Sequence, residues 1–190
     1  MHLLKPILIL CLISCSNQKP SQTSYWEKHK DNFRYNNKTE FLSDSTLRAD
    51  YKKLNKSNHR LFDKITGDPA YLYSWQERDK DKNEFTIIND DGERGLKIFY
   101  VILDKKDSLI SSSQIAGMGG EGGYLFETRS EFINKDTLLN IGSITLMHDG
   151  EGLMKIPKGD TTFSYMIIDK KGQITKTKFK EVKDLQYNSD

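Results

Sequence analysis

The sequence predicts a mainly β fold: an antiparallel β-meander forming a barrel or sandwich, with one helix near the N-terminus. Two observations carry this. From Ala70 onward, short runs rich in β-branched and aromatic residues alternate with turn signals about every 8 to 12 residues. The connections between these runs are too short for parallel crossovers and suit antiparallel neighbours. Composition sets the frame. Only 36% of the 190 residues are hydrophobic, yet 9 Phe, 9 Tyr and 2 Trp supply large side chains for a core.

In chain order, residues 25–37 carry too few apolar residues at helical spacing to be assigned. A helix is expected over residues 45–66, where Leu47, Tyr51, Leu54, Leu61, Phe62 and Ile65 fall near one stripe. Ser43 or Ser45 would cap its start, and Gly67 with Pro69 would end it. Asn55, Ser57 and Asn58 are poor helix formers within it. Strands are expected over 70–76, 84–89, 96–103, 108–116, 124–132, 137–147, 161–169 and 173–180. Turns fall at Asn89-Asp90-Asp91-Gly92, Asp104-Lys105-Lys106-Asp107, Asn134-Lys135-Asp136 and Asp169-Lys170-Lys171-Gly172. Phe163, Tyr165 and Ile167 share one strand face and Thr162 and Ser164 the other, the alternation of a half-buried antiparallel strand.

The N-terminus reads as an export signal. Met1 to Lys5 is a short positive region, and residues 6–13 form an apolar stretch far shorter than the roughly 20 residues that span a bilayer. It ends in Leu12-Ile13-Ser14-Cys15, which resembles the lipobox of bacterial lipoproteins. The resemblance implies lipid attachment at Cys15, removal of residues 1–14, and, with Ser16 next to the cysteine, an outer-membrane address in the envelope. Residues 15–24 then form a lipidated polar tether, and 25–190 a single β-rich domain. The hairpin-rich texture of that domain is also similar, loosely, to small lipoproteins of Gram-negative bacteria. Cys11 and Cys15 both lie in the signal region, so no disulfide is expected in the domain.

Charge argues against nucleic acid. Lys and Arg number 29 against 27 Asp and Glu, interspersed along the chain. The densest basic stretch, Lys176, Lys178, Lys180 and Lys183, reads as the charged edge of a strand, which discourages edge-to-edge aggregation. The oddest local feature is Gly117-Met118-Gly119-Gly120-Glu121-Gly122-Gly123, followed by Tyr124. It formally matches G-x-G-x-x-G, but Tyr124-Leu125-Phe126 continues as a strand, whereas a phosphate loop must open a helix. A hairpin connection is the plainer reading, and Gly117, Gly119, Gly120, Glu121, Gly122, Gly123 and Tyr124 form the candidate ligand or partner loop.

Other patterns point less far. Asp79-Lys80-Asp81-Lys82-Asn83 starts like a calcium loop, but Glu84 stands where Gly is needed. His148-Asp149-Gly150-Glu151 lacks the distant ligands that close a metal cage. Ser111-Ser112-Ser113 has no nucleophile elbow. Trp26 and Trp75 suit a core. No catalytic constellation, cofactor or metal is expected. The sequence therefore favours a lipid-anchored, non-enzymatic binding module with an envelope protein partner, such as an immunity, inhibitor or assembly accessory protein. The alternatives are a small-ligand carrier with a barrel cavity and an envelope hydrolase using scattered carboxylates such as Glu121, Glu127, Asp149 and Glu151.

Overall fold

The computed structural model describes residues 23–36, 51–67, 69–90, 92, 95–148 and 153–185, with backbone alone at 36, 148 and 153–157. The export signal, Cys15, most of the tether, the start of the expected helix and the side chains of His148 to Glu151 lie outside the described residues. Among the described residues, one α-helix, α1 (Tyr25–Lys28), precedes ten strands: β1 (Tyr35–Asn36), β2 (Lys56–Ser57), β3 (Ala70–Gln76), β4 (Asn83–Asp90), β5 (Leu96–Leu103), β6 (Leu109–Glu121), β7 (Tyr124–Asn134), β8 (Thr137–His148), β9 (Leu153–Ile168) and β10 (Ile174–Val182). No helix among the described residues is long and apolar enough to cross a membrane.

The expected antiparallel meander is present. β3 to β10 pair in sequence order, β1 adds to β3 in parallel, and β2 pairs with β3 off the main path. The sheet stays open, with β1 and β10 at its ends, rather than closing into a barrel. It nevertheless folds over on itself. Tyr73, Ile98 and Tyr100 of β3 and β5 share one buried cluster with Leu138 of β8 and Met166 and Ile168 of β9.

The central strands are buried on both faces, which explains their near-continuous apolar runs. On β5, Leu96, Ile98, Tyr100 and Ile102 face the folded-over half, while Val101 and Leu103 face a second cluster. That second cluster is built under the N-terminal segment by Trp26, Phe33, Leu61, Phe62, Trp75 and Phe85. Trp26 and Phe33 both pack on Phe85, with ring centroids 5.0 and 5.1 Å away. Both tryptophans therefore fill core.

The helix expected over 45–66 is not formed in its described part. Tyr51–Lys53 and Phe62–Lys64 are single 3-10 turns flanking β2. The apolar residues there serve two cores. Tyr51 and Leu54 join the folded-over cluster, whereas Leu61 and Phe62 join the other, and one helical stripe cannot face both. The short α1 sits instead in the stretch left unassigned by periodicity. Ser24, placed by composition in the tether, is its N-cap: it accepts from the Glu27 amide at 3.0 Å, and its hydroxyl accepts from Asn83 Nδ2 at 2.7 Å. Ser24 is thus part of the domain.

Two expected turns share one device. Asp104 Oδ1 accepts from the amides of Lys106 and Ser108 at 2.8 and 2.9 Å. Asp169 Oδ1 does the same for Lys171 and Gln173, at 2.8 Å each. The second turn is tied to β6, for Gln173 Nε2 donates to the Ile110 carbonyl at 3.2 Å.

Candidate functional site

The glycine segment is a hairpin. Gly117 to Glu121 close β6, Gly122 and Gly123 make the turn, and Tyr124 opens β7. Both turn glycines have positive φ, 58° and 83°, the requirement of a two-residue connection whose twist matches the strands. Gly117, Gly119 and Gly120 pair with Thr128, Phe126 and Leu125, so the segment opens no helix N-terminus. Glycines without side chains leave clefts on both sides of this hairpin. One, of about 500 Å³, is lined by Tyr51, Asp90, Leu96, Met118, Gly120 and Leu125 among the described residues. The other, of about 230 Å³, is lined by Lys97, Gln114, Gly117, Glu121, Phe126 and Thr128. In the first, Tyr51 donates its hydroxyl to Asp90. Burial, the Asp90 hydrogen bond and the Asp90 charge push Tyr51 up to about 12.

Of the carboxylates named for a hydrolase, Asp149 and Glu151 lie outside the described residues, and register separates the other two. Glu121 pairs with Tyr124, and Glu127 pairs with Met118, so the two lie on opposite faces of the hairpin. They do not converge on one bond.

Sequence reasoning missed a buried charge cluster at the other end of the sheet. Glu84 is fully buried on β4. Arg78 reaches it with a fork, Nε and Nη2 each donating at 2.7 Å, while Tyr100 donates to the same carboxylate at 2.6 Å. Arg78 Nη1 extends to Asp136 in the β7–β8 turn at 2.6 Å. Burial alone would lower the Arg78 pKa, but the hydrogen bonds and charge of Glu84 hold it above its usual value. Burial, then the charge of Glu84, pushes the Tyr100 hydroxyl well above the ordinary tyrosine range. With both Glu84 oxygens engaged, the cluster fastens a turn to a strand and offers no free acid or base. The sequence signal was slight: an acidic residue at the polar start of a strand, six positions from an arginine across a hairpin.

The third feature is an exposed apolar sheet face. On β9 the parity of Ser164, Met166 and Ile168 is buried, at 1%, 0% and 2% exposure. The aromatic parity points outward instead: Tyr165 is 37% and Ile167 46% exposed. Leu139 and Ile141 of β8 stand in register with Tyr165 and Phe163 on the same side. From β10, Phe179 stacks on Tyr165 with ring centroids 4.3 Å apart and an interplanar angle of 15°. Lys180 lies 5.3 Å over the Phe163 ring. Large side chains stacked on cross-strand neighbours and left facing solvent make this an exposed apolar patch. No family model, curated protein or solved structure matches this chain.

Proposed function

We propose that this protein is an envelope lipoprotein, anchored through Cys15, whose domain is a non-enzymatic binding module for a protein partner. The observation that carries the binding role is the outward aromatic parity of β9, Phe163, Tyr165 and Ile167, joined by Phe179 of β10, on a strand whose opposite parity, Ser164, Met166 and Ile168, is buried. Leaving these large apolar side chains in water forgoes the burial energy they would supply against a partner surface. The separation of Glu121 from Glu127 favours binding over carboxylate hydrolysis. The anchoring role rests on the Leu12-Ile13-Ser14-Cys15 motif and the polar stretch that follows it.

The test is a gentle detergent pull-down of the full-length, C-terminally tagged protein from its own membranes, beside a Cys15→Ala control and a Tyr165→Ser/Phe179→Ser variant. Mass spectrometry reads the N-terminus and the co-eluting chains. An acylated Cys15 and one stoichiometric partner lost from the double variant are the expected results. An unmodified N-terminus would contradict the anchor. A partner set unchanged in the double variant would contradict the binding face.

A further inference from the structure

We infer that the free edge of β10 receives an extended acidic peptide strand from the partner, an inference that rests on the binding-module reading above. β10 ends the sheet and pairs only with β9 among the described residues. The start of β10 lies against β6, and beyond it one side of the strand has no ladder partner among the described residues, the template for strand addition. Its side chains set the chemistry of what can dock. Lys176 and Lys178 stand in register with Met166 and Ser164, on the buried parity of β9. Thr175 and Thr177 stand in register with Ile167 and Tyr165, on the aromatic parity. After a bulge between Lys178 and Lys180, Lys180 is in register with Phe163 on the aromatic side. Lys176 has no carboxylate partner among the described residues, whereas Lys178 and Lys183 share Glu181, at 3.3 and 3.9 Å.

A second copy of this chain is a poor occupant, because edge-to-edge pairing of two β10 strands sets lysines against lysines. An acidic strand is a good one. Carboxylates at alternate positions would meet Lys176 and Lys178, and apolar residues between them would extend the Tyr165–Phe179 face. The partner segment is thus defined by period: acidic on one parity, apolar on the other.

The probe is a blocked ten-residue peptide alternating glutamate and valine, added to the full chain in detergent. A second peptide carries the same sequence with its valine amides N-methylated. Binding is followed by fluorescence anisotropy and by amide hydrogen exchange. The glutamate–valine peptide is expected to bind and to slow exchange in β10. N-methylation should abolish binding, and Lys176→Gln/Lys178→Gln should weaken it at least tenfold. Absence of binding, or binding that N-methylation leaves intact, would overturn strand addition, the latter exposing a purely electrostatic attraction. Either result leaves the membrane pull-down standing as a separate test of the binding face.

Discussion

At the scale of single residues, the Arg78–Glu84–Tyr100 cluster holds a buried carboxylate that accepts three hydrogen bonds. Glu84 is fully buried and Arg78 is 11% exposed in its side chain, so truncating the glutamate strands a cation and a phenol out of water. Glu84→Ala is expected to cost about 3–5 kcal/mol, measured by urea unfolding. Tyr100→Phe removes one hydrogen bond to a carboxylate and should cost about 1.5–3 kcal/mol. Alkaline pH acts on the same residue. Tyr100 and Tyr51 both ionise later in the folded chain than in the unfolded one, where tyrosine titrates near about 10. Their contribution to stability is complete below that value and is lost as pH rises through the folded values, about 12 for Tyr51. An ultraviolet titration should therefore show a phenol that ionises only with unfolding, and Tyr100→Phe should remove it. A titration in which all tyrosines ionise together near the ordinary value would contradict the burial of Tyr100.

At the scale of elements, two glycines separate strain from collision. Gly122 has φ of 58° and open space where a Cβ would stand, so Gly122→Ala should cost only about 1–2 kcal/mol of backbone strain. Gly95, with φ of 122°, would place a Cβ 1.9 Å from the Met118 carbonyl oxygen. Gly95→Ala must push β5 from β6 and should cost at least about 3 kcal/mol, strain and overpacking combined. Thermal unfolding of the two variants checks the order. The strands were largely legible: β3 and β5 fall on the residues that alternation and composition indicate, 70–76 and 96–103. β6 and β9 run longer than expected. Gly117 to Gly120 in one, Pro157 and Gly159 in the other, are residues that weaken a strand locally. Here the ladder to one adjacent strand carries the strand through them, β7 beside Gly119 and Gly120 and β8 beside Gly159. The expected helix failed because periodicity cannot tell one apolar stripe from residues divided between two cores.

At the scale of the whole molecule, the sheet folds over so that its first strands are covered on both faces and its last strands on one. Alternation in β9 shows that Phe163, Tyr165 and Ile167 share a face, but not that this face is outside. That depends on Leu138, Met166 and Ile168 meeting Ile98 and Tyr100 across the fold, a long-range fact that no local pattern encodes. The candidate site was legible in part for the same reason. The glycine hairpin stood out, while the alternation in β9 left open which of its faces is outside. Because Tyr165 and Phe179 are exposed, Tyr165→Ser and Phe179→Ser should each cost at most about 1.5 kcal/mol, the scale of a stacked aromatic pair. Loss of binding in these variants would then reflect the surface and not the fold. The most direct test is photo-crosslinking in native membranes, with a benzophenone amino acid at position 179 and, as control, at exposed Lys106 in the distant Asp104–Asp107 turn. One discrete adduct from position 179 and none from 106 is the expected result. No adduct from 179, or the same adducts from both positions, would contradict a binding module that works through this face.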